Sequence, residues 1–171
     1  MRRVLGLVAI AAVASSCQPD NSLGGSVGEL FPLNISRVDV LRNEYAVQVT
    51  YYANRGTFLD VVIRLAVYTR DLNMKSGLVV TLNGEGEPGH QRTAVAHAPG
   101  GEPVRTFPNV KLGDMRFYEL GIGLPDGGGT PSRGDFSMLF ESVGGDLGNG
   151  RTLTGTFSTA RTVDAGYGPL P

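Results

Sequence analysis

Residues 24–28 carry the pattern of a catalytic serine. They match G-x-S-x-G, the motif that presents a nucleophilic serine in α/β-hydrolases. That chemistry requires a sharp turn between a strand and a helix, with a histidine and an oxyanion hole beside the serine. The sequence around Ser26 has no strand pattern before the motif and no helical pattern after it. We therefore expect no catalytic role for Ser26.

A second glycine motif could bind a phosphate group. Residues 84–89 match G-x-G-x-x-G, which in dinucleotide-binding proteins needs a helix that opens at the last glycine. No helical pattern follows, and the side chains of Glu85 and Glu87 would repel phosphate. The sequence therefore favours a loop between strands, and no cofactor is expected.

Residues 133–135 are Arg-Gly-Asp, the tripeptide that some adhesion ligands present to integrins. The tripeptide lies where a loop enters a predicted strand, which is a position suited to display. Such tripeptides also arise by chance in chains rich in arginine and glycine, and we expect no adhesion function from this one.

The two histidines, His90 and His97, could form a metal site with Glu85, Glu87 or Glu102. A zinc site of the usual kind takes three or four ligands. The spacing of seven residues, however, places the two imidazoles on opposite faces of any continuous strand. We therefore expect no metal site, with one histidine solvated in a loop and the other packed against the sheet.

The start of the chain has the order of a secretory signal peptide. Arg2 and Arg3 give a basic start, residues 4–14 form an apolar run, and two serines precede Cys17. The run has about half of the roughly twenty residues that a bilayer-spanning helix needs. Cys17 is the only cysteine of the chain. Because exported proteins commonly use cysteines in pairs, its position indicates an attachment site.

The residues around Cys17 resemble the signal of bacterial lipoproteins, in which the cysteine is lipidated and becomes the new N-terminus. Ala14 stands where the favoured pattern has leucine. The resemblance implies a signal peptide over residues 1–16 and lipidation of Cys17. Because Gln18 rather than aspartate follows the cysteine, it also implies the outer membrane of a Gram-negative bacterium. The alternatives are an ordinary cleaved signal with a chance cysteine, and twin-arginine export.

Length and charge fit one exported domain. The chain has 171 residues, and a mature chain of roughly 150 is the size of a single domain. It carries 15 basic and 16 acidic residues, for a net charge of -1, so nothing favours binding to nucleic acid. A single cysteine allows no internal disulfide, and the fold must rely on its core.

Period-two alternation of apolar and polar side chains predicts β-strands. Residues 37–41 and 45–51 alternate around a short turn and predict a β-hairpin. The second strand is predicted to be half-buried, with Val47, Val49 and Tyr51 on its apolar face and polar side chains on the other.

Residues 58–68 form the strongest apolar segment, and their β-branched side chains favour a strand over a helix. No segment has a helical periodicity beyond two turns. The pattern predicts an all-β fold, an antiparallel β-sandwich of Greek-key, immunoglobulin-like architecture, with a closed barrel as the alternative. Further predicted strands lie at residues 78–82, 93–98, 104–110, 115–122, 136–140 and 152–159.

The predicted domain organisation has four parts. A signal peptide over residues 1–16 precedes a lipid-attached flexible tether over residues 17–33, which is polar and rich in glycine and serine. The β-sandwich follows over residues 34–162, and residues 163–171 form a loose C-terminal tail.

These features favour a non-catalytic, lipid-anchored protein of the cell envelope that acts through protein–protein contacts or as part of a surface assembly. Its expected partners are the membrane, through the lipid anchor, and an envelope protein. The alternative is a module that binds a small ligand, a glycan or a metal through residues 83–103 or 124–134. With two histidines and no clustered carboxylate pair, the sequence does not predict an enzyme.

Overall fold

The computed structural model describes residues 21–70, 72–83, 91–124, 126–143 and 147–166. These residues form β-strands and one turn of 3-10 helix, Ser26–Glu29, with no α-helix among them. The strands are β1 (Ser22–Gly24), β2 (Arg37–Arg42), β3 (Ala46–Arg55), β4 (Phe58–Tyr68), β5 (Val79–Thr81), β6 (Thr93–Ala98), β7 (Arg105–Thr106), β8 (Val110–Glu119), β9 (Ser132–Phe140), β10 (Thr152–Thr159) and β11 (Thr162–Asp164).

The strands build two sheets that enclose one apolar core. One sheet has five strands in the order β1-β10-β9-β8-β5, and the other has six in the order β11-β2-β3-β4-β6-β7. Among the described strands, β11 and β2 pair in parallel, and the other pairs are antiparallel. The predicted all-β, antiparallel sandwich is confirmed.

The hairpin of β2 and β3 confirms the prediction from alternation. Val47, Val49 and Tyr51 are fully buried in the core, as their pattern indicates. The prediction of a half-buried β3 is wrong, because Gln48 and Thr50 on its polar face are also only 3% and 1% exposed. The strand lies between β2 and β4 in the middle of the sheet, and Gln48 Nε2 donates a hydrogen bond to Thr50 Oγ1 at 3.3 Å.

The predicted tether over residues 17–33 is wrong for its described part, residues 21–33, because this part already packs against the sandwich. Ser22–Gly24 form the edge strand β1 against β10, and Asn21 Oδ1 accepts a hydrogen bond of 2.6 Å from the backbone N–H of Ser158. Val27, in the 3-10 turn, is fully buried in the core. The glycines and serines of this segment therefore take part in strand pairing and in a close turn, and they do not form a flexible tether.

The prediction of a loose C-terminal tail over residues 163–171 is also wrong for residues 163 and 164. Val163 and Asp164 belong to β11, which pairs with Leu41 and Arg42 of β2. The buried hydroxyl of Thr162 shares a hydrogen bond of 2.7 Å with Ser132 in the opposite sheet. Residues 167–171 lie outside the described part of the chain.

The stability of the folded chain is expected to depend on pH through the buried side chain of Tyr51. Its side chain is fully buried, and its hydroxyl donates a hydrogen bond of 3.0 Å to the backbone oxygen of Thr156 in the opposite sheet. Burial raises the pKa of Tyr51 above its ordinary value. The unfolded chain therefore releases this proton above about pH 10 while the folded chain keeps it, and the contribution of Tyr51 to stability is lost as the pH rises further.

We expect Tyr51→Phe to reduce the free energy of unfolding at neutral pH by about 1 kcal/mol, through loss of the hydrogen bond. In the parent protein, ionisation of Tyr51 in the unfolded chain should lower the free energy of unfolding by up to about 1.4 kcal/mol per pH unit above pH 10. The variant has no hydroxyl at this position and should lack this part of the pH dependence. Urea unfolding of both proteins at a series of neutral and alkaline pH values measures how the free energy of unfolding changes with pH. The same change above pH 10 in both proteins would contradict the role assigned to Tyr51.

Candidate functional site

A β-bulge in β4 positions the histidine of the candidate site. The register between β3 and β4 shifts after Tyr51, and Val62 has no partner on β3. The pairing between β4 and β6 is also irregular there, between Val61 and Arg64. His97 of β6 fills the gap, since its Nδ1 lies 2.7 Å from the carbonyl oxygen of Val62. A carbonyl oxygen can only accept, so Nδ1 donates this hydrogen bond and the bond fixes the orientation of the imidazole ring.

The imidazole of His97 is held by packing as well as by this hydrogen bond. Phe31, in the connection before β2, stacks on the ring with 3.8 Å between centroids and 12° between planes. Phe107 meets Phe31 edge-on and stacks on Phe140, so a row of aromatic rings joins His97 to the five-stranded sheet. His97 is 8% exposed, which confirms the prediction that one histidine packs against the sheet.

Asp60 is the buried carboxylate of the same region, at 5% exposure. Its Oδ2 lies 2.8 Å from Nε of Arg55, and its Oδ1 accepts a hydrogen bond of 2.7 Å from the backbone N–H of Gly100. A Cβ atom on Gly100 would collide with Asp60 Oδ1, so a larger residue at this position would have to displace the carboxylate. Asp60 thereby ties the loop after β6 to the turn between β3 and β4.

Two cavities open at the tip of the β3–β4 hairpin and share Arg55 and Asp60 in their walls. One has a volume of about 250 Å³, and the other has a volume of about 370 Å³. The side chains of Phe58 and Leu59 border the larger cavity and are 73% and 43% exposed. We call Arg55, Phe58, Leu59, Asp60 and His97 the hairpin-tip site.

The geometry of the hairpin-tip site suits binding better than acid–base chemistry. Both carboxylate oxygens of Asp60 have partners, and Nδ1 of His97 is bonded to a backbone carbonyl rather than to a carboxylate. Catalytic histidines are commonly oriented by such a carboxylate. Within the described residues, no three histidine, cysteine, aspartate or glutamate side chains are grouped as metal ligands. What the site offers is an exposed aromatic ring, an arginine and two cavities.

Ser26 of the G-x-S-x-G motif has a structural role. Strand β1 ends at Gly24, the first glycine of the motif, and Ser26 begins the 3-10 turn, so the expectation of no strand before this serine is wrong. The hydroxyl of Ser26 accepts a hydrogen bond of 3.0 Å from the backbone N–H of Thr152, and the N–H of Ser26 donates to Thr152 Oγ1 at 3.1 Å. These reciprocal bonds fix the 3-10 turn to β10.

The Arg-Gly-Asp tripeptide lies within β9, between β8 and β10, and the prediction of a loop boundary is wrong. Gly134 is buried, Arg133 pairs with Glu119 at 3.3 Å, and Asp135 accepts a hydrogen bond from Tyr118. A tripeptide paired on both sides in a sheet cannot enter a receptor groove as an extended loop would.

Several sequence-based candidates lie outside the described residues. These are the lipidation site Cys17, the glycine motif at residues 84–89, and His90 with its neighbouring glutamates. Of the two loops predicted for ligand binding, residues 83–103 supply His97 to the hairpin-tip site and Gly100 and Gly101 to the wall of its larger cavity. Residues 124–134 do not line either of its cavities.

The fold places this chain among all-β sandwich proteins. Comparison with protein-family models, with curated proteins and with solved structures gives no match. Within the part of the chain that the structure describes, no helix has both the length and the apolar character needed to cross a membrane.

Proposed function

We propose that this chain is a non-catalytic, lipid-anchored protein of the cell envelope that binds a partner protein through the hairpin-tip site. The anchor is the lipidated Cys17, and the proposed location is the outer membrane of a Gram-negative bacterium. The observation that carries the binding role is the 73% exposure of Phe58 at the tip of a well-packed hairpin.

The surroundings of Phe58 support a protein contact. Large aromatic side chains and arginines are enriched among the residues that dominate binding energy in protein interfaces. Phe58 and Leu59 give an apolar surface, the guanidinium of Arg55 stands beside it, and the cavity of about 370 Å³ can receive a side chain of the partner. The ion pair of Arg55 with Asp60 and the bond of Asp60 to Gly100 restrain the backbone and the guanidinium around this surface, and preorganisation of this kind lowers the entropic cost of binding.

Photo-crosslinking in the intact envelope tests the proposal. A photoreactive amino acid replaces Phe58 in the full-length protein, and the matched control carries it at Leu112, which is 58% exposed on the five-stranded sheet. We expect a discrete protein adduct from position 58 and none from position 112. The same adducts from both positions, or none from position 58, would contradict a partner at this site.

The anchor is tested separately with Cys17→Ala. The variant should be unlipidated and should lose the partitioning into detergent that the parent shows. A variant that partitions like the parent would overturn the lipoprotein assignment without bearing on the hairpin-tip site.

A second candidate function, binding of a small polar ligand such as a sugar, is favoured by the cavity of about 250 Å³. His97 and Asp60 line it together with the carboxamides of Asn34 and Asn54, and a few polar groups in a concave site are typical of small-molecule binding. A panel of monosaccharides and divalent metal ions, titrated while backbone amide signals are followed by NMR, tests this function. Saturable shifts around the cavity that Asn54→Ala abolishes would support it, and no shifts would exclude the ligands tested.

A further inference from the structure

The anchor point and the folded domain are separated by very little chain. Asn21 is attached to the sandwich, since its side chain accepts a hydrogen bond of 2.6 Å from the backbone N–H of Ser158. Only three residues lie between Cys17 and Asn21. Four steps along a fully extended chain span at most about 14 Å. A lipid on Cys17 therefore holds Asn21 close to the bilayer surface.

Asn21 lies at one corner of the five-stranded sheet. Its partner Ser158 is opposite Arg133 in the ladder between β10 and β9. Ser132, the residue of β9 before Arg133, accepts a hydrogen bond of 2.8 Å from the backbone N–H of Gly121. The segment that follows Gly121 is therefore at the same end of the sandwich as the attachment of the lipid-bearing chain.

That segment exposes two large apolar side chains. Ile122 is 53% exposed and Leu124 is 41% exposed. Two of the charged side chains near them bond to the backbone: Arg161 donates to the carbonyl oxygen of Gly127 at 2.7 Å, and Asp126 accepts from the N–H of Gly128 at 2.9 Å. Ile122 also lines a cavity with Arg42, Glu44 and Asp164, so the two apolar side chains stand among charged ones at this end of the sandwich.

The hairpin-tip site lies at the other end of the molecule. Arg42, at the end of β2, donates a hydrogen bond of 2.9 Å to the carbonyl oxygen of Gly121, and it pairs with Val47 near the start of β3. Strand β3 then runs ten residues to Arg55, a length of roughly 30 Å at 3.3 Å per residue. The tip of the β3–β4 hairpin is therefore remote from Gly121.

We propose that Ile122 and Leu124 rest against the lipid bilayer that holds Cys17, which turns the hairpin-tip site away from the membrane. The inference rests on the lipid anchor proposed above. The bilayer is the occupant because the short connection brings it to this end of the sandwich. Apolar side chains at the headgroup boundary add to the affinity of a lipid anchor. The domain thus has a fixed orientation, with its binding surface presented to a partner beyond the membrane surface.

Tryptophan fluorescence can measure this orientation, because the chain contains no tryptophan. Ile122→Trp and Leu124→Trp report on the proposed membrane side, and Phe58→Trp is the control at the opposite end. The full-length lipidated variants are reconstituted into vesicles of phosphatidylcholine and phosphatidylglycerol whose acyl chains carry bromine as a quencher. We expect the emission at positions 122 and 124 to shift to shorter wavelength and to be quenched, and the emission at position 58 to be unchanged.

Flotation of the same vesicles separates the two proposals. If the protein floats with the vesicles but position 122 is quenched no more than position 58, the anchor holds and the orientation is overturned. Stronger quenching at position 58 than at position 122 also overturns it. If the protein does not float, the lipid anchor itself fails, and the proposed orientation fails with it.

Discussion

Gly134→Val is expected to destabilise the sandwich by at least about 3 kcal/mol, because no space exists for a side chain at this position. Gly134 lies in β9 directly between Phe117 of β8 and Phe157 of β10. The two rings close over the glycine edge to face, with 6.0 Å between their centroids. A Cβ atom at Gly134 would collide with the carbonyl oxygen of Arg116 and would stand 2.7 Å from Cε1 of Phe157.

Thermal unfolding of the mature protein measures this effect. A loss of about 3 kcal/mol corresponds to a decrease in Tm of roughly 10 °C for a domain of this size. Gly24→Val is the matched control, since Gly24 is also a strand glycine of the same sheet and a Cβ there meets only Thr154 Oγ1, at 3.4 Å. The control should unfold within about 0.5 kcal/mol of the parent. A Gly134→Val variant as stable as the control would show that the core can repack around this strand.

The hairpins of this fold could be predicted because their signal is local. In β3, alternate apolar residues such as Val47 and Val49 face the core, and a strand with one apolar face has only one register that buries it. The pairing of β1 with β10 could not be predicted in the same way. Ser22 and Thr156 are separated by 134 positions, and the hydrogen bond of 2.8 Å between their hydroxyls leaves no periodic pattern in a segment rich in glycine and serine.

For the hairpin-tip site, the sequence predicts the strands that carry Asp60 and His97, but it does not predict that the two residues come together. Asp60 and His97 both lie in segments with a strand pattern, and alternation places Asp60 on a polar face. Their juxtaposition depends on the one unpaired residue at Val62, which turns a carbonyl oxygen toward a histidine 35 positions later. Alternation of apolar residues does not reveal such a bulge, because β-branched residues continue through it. The same bulge leaves Val62 buried, although the alternation places it on the polar face of β4.

The N-terminal segment shows how composition can mislead about flexibility. Residues 21–29 contain three glycines and two serines, which is typical of a linker. Gly25, however, has a φ of 107°, and a Cβ atom there would stand 2.8 Å from the backbone carbon of Thr152. Glycine is therefore needed at this point to let the chain turn closely against β10. The turn carries Val27 into the core, where it is fully buried.

Val27→Asp is accordingly expected to destabilise the mature protein by at least about 3 kcal/mol, since it places a carboxylate in an apolar core without a partner. Leu30→Asp, three positions further, is the matched control, because Leu30 is 39% exposed and its replacement leaves the core intact. Urea unfolding of the two variants and the parent distinguishes a folded segment from a tether. In a tether, both substitutions would be neutral. In the structure, only Val27→Asp lowers the unfolding midpoint. That result would place the start of the sandwich at or before residue 27, within ten residues of Cys17, and the proposed orientation at the membrane depends on such a short connection.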